Sequence, residues 1–196
     1  YVVVSGHDGN IARALAEAKE YFDNTGRQFP KVVTCATDSE KCVVTGRKAD
    51  FVAENITFNN GLPEFDIVIN DKQRISVKLR IPGRHNIANA LNAAAAAYLN
   101  GASPEAIKSA LDDFGGADGR YTVKGKYKGC DVVVDYAHHP TAARATIEAA
   151  SNMPHGDILV VFQPLTFNRT KLLFEDYVTS LLPCKKILFA EIFSDR

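Results

Sequence analysis

The sequence predicts an α/β fold, because short apolar runs alternate with helical segments along most of its 196 residues. The chain opens with a strand at residues 1–5, an amphipathic segment at 10–24 and a second strand at 31–35, a β-α-β unit whose two strands pair in parallel. Three repeats of a strand followed by a polar loop fill the last part of the chain. The first repeat begins with Val132–Val134, a β-branched run typical of a strand buried on both faces of a parallel sheet.

Composition narrows the functional class without choosing a partner. The chain has 23 basic and 23 acidic residues and 46% hydrophobic residues, which is typical of an ordinary globular protein. It contains no long run of either charge, so we expect neither nucleic acid nor a membrane as a partner. The longest apolar stretch, residues 93–99, is too short to span a bilayer, and no signal-peptide pattern is visible. We expect a cytoplasmic protein whose oligomeric state these residues do not indicate.

The four cysteines lack the paired spacing of a zinc site or a redox motif. They are scattered through the chain, which favours reduced, buried thiols over disulfides or metal ligands. These residues are Cys35, Cys42, Cys130 and Cys184.

Between the first strand and residue 79 the sequence pattern changes from strand-helix alternation to short apolar runs separated by turns. Gly6–Asn10 contains two glycines but matches neither common phosphate-binding loop, so we predict no phosphate site there. A short return through residues 38–40 leads to 42–44, a candidate further strand. Alternating apolar runs across residues 49–79, with turns at Asn59–Gly61 and Asn70–Lys72, predict an antiparallel meander.

The middle of the chain predicts two helices. An alanine-dense helix spans residues 87–100 and has Asn86 and Asn89 on one face near its N-terminus, where backbone N–H groups favour polar ligands. Capping by Asn86 alone is the structural alternative, although it leaves Asn89 unexplained. Ser103–Pro104 starts the next helix as N-cap and first residue. Gly115–Gly116 ends this helix and marks the predicted boundary between residues 1–115 and residues 116–196.

Polar residues follow each of the predicted strands after this boundary. Lys128–Gly129 predicts a tight hairpin turn before the valine run. Pro140 opens a helix at 141–153, the next strand and helix are 158–162 and 170–182, and the last strand is 186–190. Right-handed crossovers would bring the three loops to one edge of a parallel sheet. The polar side chains expected to converge there are Asp135, His138, His139, Gln163 and Arg169.

Four motifs lie in the order and spacing found in one enzyme family. They are PGRHNIANA at 82–90, GRY at 119–121, DYAHHPT at 135–141 and FQP at 162–164. Over essentially its whole length the chain therefore resembles the Mur ligases of peptidoglycan synthesis. The resemblance implies the later part of the central ATPase domain for residues 1–115. It implies the first part of a Rossmann-like carboxyl-terminal ligase domain, with a parallel sheet, for residues 116–196.

The resemblance also implies a reaction. In the family, ATP phosphorylates a carboxylate, the amine of an amino acid attacks the acyl phosphate, and Mg²⁺ screens the charge. The pairing of DYAHHPT with FQP favours the family member that joins L-alanine to UDP-N-acetylmuramate. The expected cofactors are ATP and Mg²⁺, and the expected partners are UDP-N-acetylmuramate and L-alanine.

The resemblance assigns nucleotide contacts to four residues. Asn86 and Asn89 are expected to contact the adenine. Asp135 is expected at the ribose, because a carboxylate can accept hydrogen bonds from the ribose hydroxyls. Arg120 is expected at the ATP phosphates as a catalytic group, because a guanidinium fork matches phosphate oxygens. No protein ligand to a metal is predicted.

Two further residues resemble positions that face the incoming amino acid. His138 and Arg169 are expected to act in catalysis by holding its carboxylate with positive charge. The structural alternatives are a surface salt bridge for Arg169 and a hydrogen-bonded loop histidine for either His138 or His139.

The chain departs from the family pattern in several places. Leu165 follows the FQP motif at the position where the family usually has histidine. The GRY element has one arginine fewer than the family pattern, and Ser5–Asp8 stands where the family has an NxDD-like segment. The family's GTxGKT[ST] phosphate loop, its magnesium-ligand glutamate and its uridine-binding domain do not occur in these residues. We therefore expect a fragment that is inactive by itself.

Three other interpretations stay open. A ligase that recycles murein tripeptide also has AHHPTA, and Ala142 favours it, whereas FQP with residues 168–171 favours the L-alanine ligase. A metal hydrolase could use Asp135, His138 and His139 as ligands. A non-catalytic nucleotide-binding module is the third.

Overall fold

The computed structural model describes residues 1–37 and 41–193, so the predicted return through residues 38–40 lies outside this part. The chain divides into two compact units. The first comprises Tyr1–Phe58, Pro63–Leu79 and His85–Phe114, and the second Asn59–Leu62, Arg80–Arg84 and the chain from Gly115 onward. No helix in the described ranges is long and apolar enough to cross a membrane.

The first unit contains a five-stranded mixed sheet. Its strands lie in sequence order: β1 (Val2–Ser5), β2 (Val32–Ala36), β3 (Phe51–Asn59), β4 (Leu62–Ile69) and β5 (Gln73–Lys78). The pairs β1–β2 and β2–β3 are parallel and β4–β5 is antiparallel, which confirms the predicted parallel opening and the later meander. Tight turns at Asn60–Gly61 and Asn70–Asp71 connect β3 to β4 and β4 to β5, with positive φ angles at all four residues.

In the described part of the first unit, three helices accompany this sheet, and side-chain caps mark the start of two of them. They are α1 (Gly9–Thr25), α2 (His85–Leu99) and α3 (Pro104–Asp113). The Asp8 side chain caps α1 by accepting the N–H of Asn10, and Ser103 caps α3 by accepting that of Ala106. The Gly6–Asn10 segment therefore contains the N-cap of α1. Helix α2 packs on β1 and β2, and α3 packs on β5.

The core of this unit comes from consecutive residues of β2 and of the start of β3, from alternate residues of β5 and much of β4, and from one face of α2. Fully buried side chains include Phe51, Ile67, Ile69, Ile87 and Leu91. Burying side chains of this size stabilises the fold by about 1.5–3 kcal/mol each. Because the alanines of α2 are small, the helix approaches the strands closely, and Ala94 and Ala95 are also buried.

Up to residue 193, where its description ends, the second unit contains two small sheets and three helices. An antiparallel pair joins β6 (Thr122–Tyr127) to β7 (Cys130–Val134), and a parallel pair joins β8 (Leu159–Phe162) to β9 (Lys186–Phe189). The helices are α4 (Pro140–Ser151), α5 (Phe167–Leu172) and α6 (Phe174–Leu181). Lys128 and Gly129 both have positive φ, so the predicted two-residue hairpin turn is confirmed.

The predicted burial of Val132–Val134 is wrong. These three side chains are 37–44% exposed, because β7 belongs to a two-stranded hairpin in the described part of the chain. The parallel pair β8–β9 is a separate sheet, so the prediction that three successive strands share one parallel sheet is also wrong. A β-branched run favours extended backbone, but the short Lys128–Gly129 turn closes a local antiparallel pair before a distant strand can be chosen.

Two element predictions also need correction. Residues 42–44 form a turn rather than a strand, because the N–H groups of Thr45 and Gly46 both bond to the carbonyl of Cys42. The predicted helix 170–182 is two helices that start earlier, at Phe167, and break at Leu173. At this break Leu173 packs against the core of the second unit while Leu172 stays exposed.

The prediction of reduced, buried thiols is confirmed for three cysteines, and the predicted burial is wrong for Cys130. All four thiols are free, and Cys35, Cys42 and Cys184 are buried. Cys130 is exposed because it begins β7 on the uncovered hairpin.

Candidate functional site

The start of α2 presents two side-chain amides together. The Asn89 amide nitrogen donates to the Asn86 side-chain oxygen across 3.0 Å. Because α2 begins at His85, Asn86 lies inside the first helical turn, so the interpretation of Asn86 as a simple cap is wrong. The pair offers both donor and acceptor groups at a helix N-terminus, which is the chemistry that a purine edge requires.

The loop after β7 is tied to the segment before β6. One carboxylate oxygen of Asp135 accepts the backbone N–H of Tyr121 at 2.9 Å, and the N–H of Tyr136 donates to the carbonyl of Gly119 at 2.8 Å. Tyr121 has φ of 46°, a left-handed conformation that is uncommon for an aromatic residue. The hydrogen bond from Asp135 therefore holds a strained turn next to Arg120.

Arg120, Tyr136 and His138 form a row of side chains along this loop. The Arg120 guanidinium carbon lies 5.8 Å from the centroid of the Tyr136 ring, within cation–π range. The same ring meets the His138 imidazole edge-on, with centroids 4.9 Å apart and planes at 67°. The structure thus brings three of the predicted site residues, Arg120, Asp135 and His138, into one pair of adjoining loops.

The two histidines of the loop have different surroundings. The His138 Nδ1 lies 3.0 Å from the carbonyl oxygen of Tyr136, and since a carbonyl only accepts, Nδ1 carries the proton in that bond. The backbone carbonyl of His138 accepts the Tyr177 hydroxyl at 2.7 Å. By contrast, His139 is the N-cap of α4, with its Nδ1 accepting from Thr141. His139 therefore matches the alternative of a histidine with a structural hydrogen bond.

Arg169 lies on α5 and not in the loop after β8 where the sequence had predicted it. Its charge lowers the pKa of the Tyr177 hydroxyl, although burial has the larger, opposite effect and the pKa is raised. Arg169 is therefore near the residue that bonds to His138. The alternative of a surface salt bridge is not found for Arg169 among the residues that the structure describes. At the end of β8, Gln163 instead donates to the carbonyl of Glu191 at 3.2 Å.

The described residues do not group into a metal centre. Within residues 1–37 and 41–193, no three side chains of His, Cys, Asp or Glu lie close enough together to hold an ion. Asp135 is bonded to the Tyr121 backbone and His139 caps a helix. The metal-hydrolase interpretation therefore loses the ligand set on which it depended.

Sequence reasoning missed two tyrosines at this site. Tyr136 is the ring between Arg120 and His138, and Tyr177 reaches the same loop from α6. The only available signal for Tyr177 was its spacing, because Tyr177 and Leu181 lie four residues apart on the apolar face of a helix. That spacing predicts burial of the ring but not the partner of its hydroxyl.

Two family models match the sequence. The description "Mur ligase middle domain" covers residues 5–97, and "Mur ligase, glutamate ligase domain" covers residues 119–193. The chain belongs to the Mur ligase family. The motif that the sequence shares with Mur ligases at Asp135–Thr141 lies inside the second match.

Curated relatives extend this assignment. The chain is 37% identical over 193 residues to the UDP-N-acetylmuramate–L-alanine ligase of Clostridium novyi, covering 89% of this chain and 42% of that protein. It is 40% identical over 197 residues to the ligase of the same name from Clostridium acetobutylicum, covering 100% of this chain and 39% of that protein. The chain thus spans about two fifths of the length of these Mur ligases.

Solved structures of Mur ligases confirm the mixed α/β fold. The UDP-N-acetylmuramate-alanine ligase MurC of Thermotoga maritima superposes with a TM-score of 0.69 at 19% identity, over 97% of this chain and 46% of that one. The ligase from Acinetobacter baumannii that adds D-alanyl-D-alanine, described as UDP-N-acetylmuramoylalanyl-D-glutamyl-2,6-diaminopimelate–D-alanyl-D-alanyl ligase, gives 0.68 at 23% identity, over 97% of this chain and 38% of that one.

Proposed function

We propose that the complete protein containing this chain joins L-alanine to UDP-N-acetylmuramate, using ATP. The observation that carries the proposal is 37–40% identity to ligases of that name, extending over both matched domains. On this proposal residues 1–115 belong to the central ATPase domain and residues 116–196 begin the carboxyl-terminal ligase domain. Since ATP and a UDP-linked sugar are cytoplasmic metabolites, the proposal also assigns the reaction to the cytoplasm.

Contacts to the adenosine part of ATP are assigned to two groups of residues, each within one unit and each considered by itself. The bonded amides of Asn86 and Asn89 offer the mixture of donor and acceptor atoms that suits adenine. Asp135 uses one oxygen for the Tyr121 N–H, and its carboxylate has further lone pairs that suit the ribose hydroxyls. The chemistry of the asparagine pair therefore suits a base, and that of Asp135 suits a sugar.

The transferred phosphoryl group is assigned to Arg120. Its exposed guanidinium lies over the Tyr136 ring and has the planar fork of N–H donors that matches phosphate oxygens. During the reaction the carboxylate of the sugar takes the γ-phosphoryl group of ATP and ADP leaves. The amine of L-alanine then attacks the acyl carbon and inorganic phosphate leaves. Arg120 would offset the negative charge that develops on the phosphoryl oxygens.

The amino-acid carboxylate is assigned to His138 and Arg169. Because the His138 Nδ1 is directed at the Tyr136 carbonyl, its Nε2 is the ring nitrogen that would meet a substrate. Arg169, on α5, adds a permanent positive charge that also acts on Tyr177, the residue bonded to His138. Arg169 suits a carboxylate better than a neutral ligand, and the Nε2 of His138 would donate to that carboxylate in the protonated imidazole.

Magnesium accompanies ATP in this family, and it would screen the phosphate charge when bound. The described residues contain no carboxylate cluster that fits the ion, so none of its ligands is assigned here. The group of this chain that we assign to offsetting the phosphate charge is therefore the guanidinium of Arg120.

Phosphate release by the complete protein tests the proposal. Release should require ATP, UDP-N-acetylmuramate and L-alanine together, and omission of the amino acid is the matched control. Glycine and serine should be weaker substrates. Ala142 in the AHHPTA sequence favours the murein tripeptide ligase as a second candidate, so the tripeptide is assayed beside L-alanine. Release with the tripeptide and none with L-alanine would establish that second function and contradict the first.

A further inference from the structure

Tyr177 connects α6 to the loop that contains His138. Its hydroxyl donates to the His138 carbonyl oxygen at 2.7 Å, across a sequence separation of 39 residues. The side chain is only 3% exposed. A buried hydroxyl needs a hydrogen-bond partner, and the loop carbonyl supplies it.

The ring of Tyr177 is held in place by the core of the second unit. Its centroid lies 5.3 Å from that of Phe162, and Phe162 in turn meets Phe189 at 6.0 Å. Ala143, Ile147 and Leu181 belong to the same buried cluster, so residues from α4, α6 and β8 surround the ring. Close packing of this kind leaves the hydroxyl little freedom to move.

The hydroxyl remains a donor over the whole neutral range. Burial raises the pKa of Tyr177, and the nearby charge of Arg169 opposes this effect only in part. A protonated phenol donates to a carbonyl, whereas a phenolate could not. The direction of the pKa shift therefore agrees with the geometry of the bond.

The other hydrogen bonds described for this loop lie within the loop, its hairpin and the start of the helix that follows. The His138 Nδ1 bonds to the carbonyl of Tyr136, and the N–H of Tyr136 bonds to Gly119. His139 caps the helix that follows. These bonds hold the two ends of the segment, while Tyr177 holds the peptide group between His138 and His139 from another part of the chain.

We infer that Tyr177 is a positioning residue for the amino-acid site. Its hydroxyl orients the peptide group after His138, and through it the imidazole assigned to the amino-acid carboxylate. Arg169 is on α5, and α6 follows after the break at Leu173, whose side chain packs on the same core as Tyr177. This inference rests on the function proposed above.

A pair of variants separates this role from simple packing. Tyr177→Phe removes only the hydroxyl and keeps the ring that contacts Phe162. Ser180→Ala is the matched control, because Ser180 is equally buried on α6 but its hydroxyl bonds within the helix, to the carbonyl of Asp176. The unfolding temperatures of both variants should stay close to that of the unsubstituted chain, which checks that the core is retained.

The first measurement is the amide resonance of His139 in the 196-residue chain, since that N–H belongs to the same peptide group as the His138 carbonyl. Tyr177→Phe should shift this resonance and speed its hydrogen exchange, and Ser180→Ala should leave it unchanged. An unchanged His139 resonance in Tyr177→Phe would overturn the inference whatever the protein catalyses.

The second measurement is steady-state ligation by the complete enzyme. Tyr177→Phe should raise KM for L-alanine about 3- to 10-fold, the usual effect of one neutral hydrogen bond, with KM for ATP within about twofold of wild type. Equal KM values for L-alanine in wild type and Tyr177→Phe would overturn the positioning role. The unsubstituted enzyme is assayed first, so a failure of the proposed function appears there and not in the variants.

Discussion

The carboxylate of Asp135 accepts the N–H of Tyr121, a residue with φ of 46°. Non-glycine residues in that conformation are strained by roughly 1–3 kcal/mol unless their surroundings hold them. Replacing Asp135 would therefore disturb the turn at Arg120 as well as any contact to ribose. Loss of activity in an Asp135 variant would not identify a nucleotide ligand, which makes Arg120 the better probe of the site.

Arg120→Ala should reduce kcat of the complete enzyme by about 10²-fold or more, the usual effect of losing one preorganised electrostatic contact. Its stability should change little, because the side chain is exposed and lies over the face of the Tyr136 ring. Ligation kinetics and thermal unfolding measure the two effects. Lys126→Ala is the control, since Lys126 forms an exposed pair with Asp131 on the same hairpin. An unchanged kcat in Arg120→Ala would contradict the phosphate role.

Cysteine labelling should separate the four thiols by burial. Burial, and secondarily the charge of Asp50, raise the pKa of Cys35 to about 12, so its thiolate is scarce at pH 8. Cys130 is exposed and should react first with iodoacetamide, with Cys35 and Cys184 much slower. Mass spectrometry of timed samples measures the order, and Cys130→Ser should remove the fast phase. Equal rates for Cys35 and Cys130 would show that the first unit opens readily.

The outer face of the meander carries charged side chains from three adjacent strands. Arg74 on β5 donates to Asp66 on β4 and to Glu54 on β3, each at 2.8 Å. The hydrogen bond from Arg74 is the largest influence lowering the pKa of Glu54. For Asp66 the bond from Ser76 is the largest, followed by Asn55. These partners hold the three strands in register on the face that is not buried.

These pKa shifts predict how the stability of the sheet depends on pH. Both folded-state pKa values lie below their ordinary values, so the stabilisation is present in full above about pH 4.5 and is lost as pH falls below that. Asp66→Asn should reduce the stability difference between pH 7 and pH 3.5 by about 1 kcal/mol or less, because such pairs are partly screened. Urea unfolding at both pH values measures this effect.

A control for this pH experiment is available on α1. Glu17 lies 3.9 Å from Arg13 in a pair whose side chains are more than 70% exposed. Glu17→Gln should therefore leave the pH dependence as it is in the unsubstituted chain. An equal change in both variants would mean that the Asp66 network does not contribute.

The molecule as a whole combines two units that each have a core. Phe51, Ile67 and Leu91 are buried in the first, and Phe162, Tyr177 and Leu181 in the second. Each unit also contains residues proposed to contact nucleotide, Asn86 and Asn89 in the first and Arg120 and Asp135 in the second. The 196 residues contain no GKT phosphate loop.

The 196-residue chain should therefore fold but should not turn over ATP. Phosphoryl transfer requires a cradle of backbone amides, a lysine and a bound metal ion acting together, and the phosphate loop that supplies them is absent from this sequence. Nucleotide affinity should be weak and little changed by Mg²⁺. Calorimetry with ATP, with and without Mg²⁺, measures this, and Asn89→Ala should weaken what binding remains. Hydrolysis that survives repurification, or binding strengthened by Mg²⁺, would contradict the prediction.

Local chemistry in the sequence was enough to determine much of this protein. Ser103 and Pro104 begin α3, Pro140 opens α4, and the Lys128–Gly129 turn pairs β6 with β7. These features depend on dihedral preferences and hydrogen bonds between residues a few positions apart, which a sequence displays directly. The family motifs were visible for the same reason, because each is a short contiguous string.

Only the tertiary structure decided what surrounds those elements. The exposure of Val132–Val134, the helix break at Leu173 and the bond from Tyr177 to His138 all depend on partners far along the chain. The apolar pattern of a strand is the same whether a helix covers it or not, and the pattern that buries a tyrosine ring does not specify where its hydroxyl points. Burial and long-range hydrogen bonds are set by packing, so the chain has to be folded before they exist.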